Sequence, residues 1–224
     1  MPDRTLVLLG ATGLVGSLAL PLFVQDPRWT RVVTLGRRPM PLAGPSHAHH
    51  VVDFDALDAH ADFFTCDDLV SCLGTTIKDA GSQAAFRRVD LELPVEAARL
   101  AHAQGARQML AVSALGADAG SRVFYNRVKG EAEDALRAVG FETLHLLRPS
   151  LLTGDRDEPR PGERLGELVL GAATPLLIGP LRPLRPTPAR SVARALAHLA
   201  ADAATGVFVH GPAALRAFGG EPSR

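Results

Sequence analysis

Three glycines at a spacing of three, directly behind an apolar run, constrain this chain more than any other feature. Residues 6–16 read LVLLGATGLVG. An aliphatic run of this kind suits a short strand buried on both faces. Gly10, Gly13 and Gly16 then remove side chains where the chain must turn, and Leu14–Val24 resumes with the apolar spacing of a helix. A strand, a glycine turn and a helix start together predict a phosphate site, because a helix N-terminus offers free amides and partial positive charge. Gly10 would make the turn, Gly13 would admit a pyrophosphate to the backbone, and Gly16 would seat the helix on the sheet. The same glycines can serve packing alone, so the rest of the chain has to discriminate.

The rest of the chain alternates in the way such a unit requires. After Thr5–Leu9, the segments Arg31–Leu35, His50–Phe54, Asp68–Leu73, Gln108–Ser113, Thr143–Leu147 and Val207–His210 read as strands. Amphipathic stretches separate them. One is QAAFRRVDLELPVEAARLAHAQG, in which Pro94 predicts a kink or break; others are Val123–Val139, capped by Gly140, and Ser191–Ala201. This alternation predicts the α/β class: a doubly wound parallel sheet of about seven strands with helices on both faces. Residues 150–190, rich in proline and glycine, and the C-terminal segment are expected to form a small substrate-side lobe of one domain spanning 1–224.

Composition excludes several classes. Lys plus Arg and Asp plus Glu number 24 each, which gives no field favouring nucleic acid or an anionic membrane. With 46% hydrophobic and 21% charged residues the chain reads as globular. No apolar run approaches the ~20 residues of a membrane span. Cys66 and Cys72 form neither a metal spacing nor a disulfide framework, and too few residues precede Leu6 for a signal peptide, so a cytoplasmic protein is expected. The HAHH stretch at 47–50 has no acid or cysteine at ligand spacing; it reads as a polar turn, and no metal site is expected.

Two further constellations carry chemistry. Where sites for NAD place an acid about 20 residues beyond the glycines, this chain has Arg37 and Arg38. Guanidinium suits a 2′-phosphate, which predicts NADP(H) over NAD(H). In VSALGADAGSRVFYNRVKGEAE, Ser113 ends a strand, and Tyr125 and Lys129 stand four apart on one helix face. A nearby ammonium favours the phenolate and lowers the tyrosine pKa toward a useful range. Tyr125 would then exchange a proton with a carbonyl or alcohol oxygen that Ser113 also holds.

Together these motifs resemble the short-chain dehydrogenase/reductase superfamily. The ordered set GATGLVG, LGRRP, VVDFDALD, CLGTT, FRRVD, YNRVKGEAE and RPSLLTGDRDEPRPGERL is similar to one atypical branch, that of the Tat-interacting oxidoreductases and small bacterial NAD(P)-binding proteins. The resemblance spans roughly residues 5–200 and implies a Rossmann fold. It implies that Thr12, Gly13, Leu14 and Val15 line the pyrophosphate, and it too places Arg37 and Arg38 at the 2′-phosphate. Asp53 and Phe54 would flank the adenine, Leu73 and Gly74 the ribose and nicotinamide, and Leu152 and Arg160 would close over the nicotinamide end.

The function expected is reduction of a small carbonyl substrate by an NADP(H)-dependent oxidoreductase, with Tyr125 as general acid/base and Lys129 and Ser113 beside it. The alternative is a catalytically slow NADP(H)-binding regulator or redox sensor acting through a protein partner. Nothing in the chain names the substrate.

Overall fold

The computed structural model describes residues 4–154, 184–202 and 204–219. Its centre is a sheet of seven parallel strands: β1 (Thr5–Leu9), β2 (Arg31–Gly36), β3 (His47–Val51), β4 (Asp68–Ser71), β5 (Gln108–Val112), β6 (Thr143–Leu147) and β9 (Gly206–His210). The intervening β7 (Leu152–Thr153) and β8 (Thr187–Pro188) form a separate parallel pair. The spatial order β3-β2-β1-β4-β5-β6-β9 reverses direction between β1 and β4. At such a reversal the connections leave to opposite faces and a crevice opens at the carboxyl ends of the two strands. The glycine turn follows β1, and Leu73 and Gly74 follow β4, so both border that crevice.

The central strands are aliphatic because both faces are covered. On one face, α1 (Gly16–Gln25) and the helices Ala189–Leu199 and Pro212–Ala217 bury Leu6, Leu8, Val32, Val70, Leu110 and Leu147. On the other, a 3-10 segment (Leu57–Phe64), α4 (Leu93–Ala103) and α5 (Phe124–Val139) bury Val7, Leu9, Val33, Leu69, Met109 and Leu146. Alternate residues of each strand thus feed two cores.

Three local expectations change. The third strand spans His47–Val51, not 50–54, and HAHH is strand rather than turn. It lies at the sheet edge, where half-covered side chains tolerate polarity, and His47 and His49 find hydrogen-bond partners in Thr34 of β2. The break expected at Pro94 is a π turn at Arg88–Glu92, placed between α3 (Gln83–Arg87) and α4. Proline has no N–H and crowds the carbonyl four residues back; here Leu93 N–H reaches past it to Arg88 O, the wider spacing that relieves the conflict. The chain also forms short structures absent from the sequence reading: the 3-10 segment Leu57–Phe64, the helical turn α2 (Ile77–Ala80), the β7–β8 pair and the helix Pro212–Ala217. Most of the proline-rich segment expected as a lobe, 155–183, lies outside the described residues.

Candidate active site

Gly10 adopts φ +76°, and a Cβ there would lie 2.6 Å from the Cys72 carbonyl oxygen, so the position demands glycine twice over. Gly13 N–H closes the turn onto Gly10 O at 3.0 Å. A Cβ on Gly16 would sit 2.1 Å from that same oxygen, which is why α1 can start so close to the strand. The N-terminus of α1 has no side-chain cap and no acid in its first turn, which leaves its amides to an external anion. Thr12 and Gly13 are exposed there, Leu14 is half-buried, and the Val15 side chain is buried beneath. An uncapped, glycine-lined helix start at the topological switch fits a dinucleotide pyrophosphate.

Arg37 and Arg38 are exposed directly beyond β2. Phe54 is buried in the core and its carbonyl accepts from Arg88 Nη2 at 2.6 Å, while Asp53 is exposed and its carboxylate accepts from Asp55 N–H. Leu152 is half-buried in β7 and packs on the α1-side core; two residues on, a Cβ on Gly154 would meet Leu14 at 3.3 Å. The β7 end therefore borders the glycine turn. Arg160 lies outside the described residues.

The tyrosine helix is held by its neighbours. A Cβ on Gly130 would lie 2.1 Å from Ala119 N, so the loop after β5 crosses α5 at a glycine. Tyr125, in the first turn of α5, is half-buried with its ring 5.5 Å from that of Phe86. Lys129 is almost fully buried and its Nζ stands 2.7 Å from Asp90 Oδ1, with side-chain exposures of 7% and 1%. Asp90 Oδ2 accepts from Thr75 N–H at 2.9 Å, and the Asp90 and Lys129 end groups lie 3.5 and 3.9 Å from where a Gly74 Cβ would be. Asp90 sits in the π turn, so the Pro94 irregularity aims this carboxylate at the ammonium. One buried pair thereby ties the loop after β4, the α3–α4 helix and α5 at the crevice.

One expectation about this cluster needs correction, and one hydroxyl has a partner that the sequence did not show. Burial raises the Tyr125 phenol above its ordinary value; Lys129 opposes that rise and the Asp90 charge adds to it. Burial outweighs the attraction of the ammonium, so the phenol stays protonated instead of being drawn toward neutrality. Ser113 is buried and its hydroxyl donates to Glu133 Oε1 at 2.6 Å. A serine has one proton to give, and here Glu133 accepts it.

Sequence reasoning missed this second cluster. Glu133, 2% exposed in its side chain, also accepts Arg148 Nε at 2.8 Å and Nη2 at 2.6 Å, and Arg137 Nη2 at 3.0 Å. Burial alone would raise its carboxyl, but the bonds from Arg148, Ser113 and Arg137 hold it below the ordinary value. A cavity of about 20 Å³ separates the Asp90–Lys129 pair from Ser113 and Glu133, enough for one water. Glu133 stands one helical turn after Lys129, which was the only signal in the sequence.

No family model matches the chain. Protein HTATIP2 of Rattus norvegicus is 35% identical over 176 residues, covering 77% of this chain and 72% of that protein. The fmp52 protein of Emericella nidulans is 33% identical over 172 residues, 74% of each. The chain belongs to their family, the atypical short-chain dehydrogenase/reductases. Among solved structures, MoeE5 in complex with UDP-glucose and NAD matches at TM-score 0.69 and 19% identity, over 92% of this chain and 74% of that one. A short-chain dehydrogenase/reductase superfamily protein from Agrobacterium tumefaciens with bound NAD matches at 0.68 and 17%, over 93% and 77%. These likenesses show the fold, a Rossmann-like α/β sheet. The expected cytoplasmic location is overturned: the fmp52 relatives are mitochondrial by name. Cys66 and Cys72 are both unpaired. No helix among the described residues is long and apolar enough to cross a membrane.

Proposed function

We propose that this atypical short-chain dehydrogenase/reductase is an NADP(H)-dependent reductase of a small carbonyl compound. The observation that carries the reading is the buried Lys129–Asp90 pair set beside Tyr125 at the β1/β4 crevice. In this reading the turn from Thr12 to Gly16, which leads into α1, lines the pyrophosphate with the amides it leaves free beside that of Gly13, Arg37 and Arg38 hold the 2′-phosphate, and Asp53 and Phe54 the adenine side. Leu73, Gly74, Lys129 and Leu152 face the ribose and nicotinamide. When bound, the reduced nicotinamide supplies hydride.

The chain's own contribution is a proton and its placement. Tyr125 remains protonated because burial disfavours the phenolate, so it can donate to a carbonyl oxygen as charge develops there. Asp90 holds Lys129 in one place, aimed along the helix face that bears Tyr125. Ser113 acts through Glu133, fixing α5 against the end of β5, and does not itself donate to substrate. That same commitment of Ser113 favours, as the second reading, a slow NADP(H) sensor that works through a protein partner.

Cofactor choice tests the proposal directly. NADPH is expected to bind at least tenfold more tightly than NADH, with Arg37→Ala/Arg38→Ala removing most of that margin and leaving NADH almost unaltered. Overlapping NADPH and NADH titrations of the native protein would rule out the NADP(H) assignment.

A further inference from the structure

The HAHH stretch has no role in the reading above, yet it forms a continuous hydrogen-bonded chain that ends on the arginine turn. His49 Nε2 lies 2.9 Å from Arg38 O, His49 Nδ1 lies 2.9 Å from Thr34 Oγ1, and Thr34 Oγ1 lies 2.8 Å from His47 Nε2. At the far end, Ala43 N–H donates to His47 Nδ1 at 2.9 Å. Only one arrangement of protons satisfies all four contacts with neutral rings. Arg38 O can only accept, so His49 Nε2 carries a proton and His49 Nδ1 accepts from the Thr34 hydroxyl. The threonine proton being used, His47 Nε2 must donate to Oγ1, which leaves His47 Nδ1 free to accept from Ala43. The Thr34 contacts to Ala48 O at 3.5 Å and Met40 Sδ at 3.7 Å are longer and do not compete.

Packing supports the same conclusion independently. A Cβ on Gly36 would lie 2.9 Å from His49 Cε1, so the last residue of β2 is a glycine where the imidazole lies against it. Thr34 is fully buried and His47 is 4% exposed, which anchors the chain in the edge of the sheet. The imidazole thus fixes the peptide that carries Arg38, immediately after Arg37.

We propose that His49, backed by Thr34 and His47, is a positioning residue for cofactor selectivity: it holds the Arg37–Arg38 turn in the conformation that takes a 2′-phosphate. This rests on the NADP(H) reading, and it assigns the selectivity to a backbone clamp as well as to two side chains.

The test is a pair of fluorescence titrations, NADPH and NADH, on the native protein and on variants. His49→Leu, which fills the space without a donor, is expected to weaken NADPH about fivefold, the loss of one neutral hydrogen bond, with NADH unchanged. His49→Gln restores a donor toward Arg38 O and is expected to regain most of that loss. Thr34→Val, which breaks the chain one link earlier, should resemble His49→Leu. In the free protein, ring-nitrogen NMR should find both His47 and His49 protonated at Nε2. An unchanged NADPH/NADH ratio in His49→Leu and Thr34→Val, alongside a collapsed ratio in Arg37→Ala/Arg38→Ala, would overturn the clamp and leave the cofactor reading standing. Equal weakening of both cofactors in the His49 and Thr34 variants would also overturn it. Equal affinities in the native protein would remove the cofactor reading and the clamp together.

Discussion

Tyr125 is the only tyrosine in the chain, so its ionisation can be followed by ultraviolet difference absorbance without labels. In the free protein the phenol is expected to ionise above 10, because burial outweighs the attraction of Lys129 and Asp90 adds repulsion. Asp90→Asn removes that repulsion and releases Lys129 from its partner, so the midpoint should fall below the native one. An unchanged or higher midpoint would mean that the pair does not govern the phenol. The i,i+4 spacing of Tyr125 and Lys129 was legible in sequence. Their electrostatics were not, because Asp90 reaches Lys129 only through the packing of the π turn on α5. The partner of Ser113 was not legible for a similar reason: a hydroxyl at a strand end has many possible acceptors, and Glu133 comes from another element.

At the scale of elements, Glu133 joins α5 to β5 and to the end of β6. Its carboxyl is held below the ordinary 4.5, so the stability it contributes is present above that value and is lost as pH falls below it. Glu133→Gln should cost about 3 kcal/mol at pH 7, since it leaves Arg148 and Arg137 without their shared partner. The gap between native and variant stability should narrow in denaturant titrations below pH 4.5 and not in alkaline ones. Ser113→Ala should cost about 1.5–3 kcal/mol in the same assay and slow turnover less than tenfold. A hundredfold loss of rate in Ser113→Ala would return the hydroxyl to the reaction itself. Gly16→Ala should expel α1 from its seat on Gly10 O and reduce both NADPH binding and stability, because the obstructing atom is backbone that cannot swing aside. Native-like affinity and stability in that variant would refute the packing role. The glycine turn, β1 and β6 were readable to the residue from periodicity and turn chemistry. The third strand was not: its histidines have poor strand propensity, and what pairs them is a threonine on the neighbouring strand.

At the scale of the whole molecule, the parallel order and its reversal between β1 and β4 bring three distant stretches to one crevice: the glycine turn, the loop after β4 and the start of α5. That convergence follows from alternating strands and helices, which is why the class of fold could be read from the chain. Substrate choice could not, because no motif describes what shapes the open end of the crevice. The central claim is that Tyr125 gives a proton to a carbonyl compound in an NADPH-dependent reduction. The most direct measurement is carbonyl-dependent NADPH consumption by the native protein and by Tyr125→Phe over a panel of small aldehydes and ketones, with NADPH affinity measured alongside. The expected result is saturable turnover by the native protein, a loss of about 10²-fold or more in the variant, and NADPH affinity within twofold in both. A variant as active as the native protein, or a native protein that binds NADPH and reduces nothing in the panel, would contradict it.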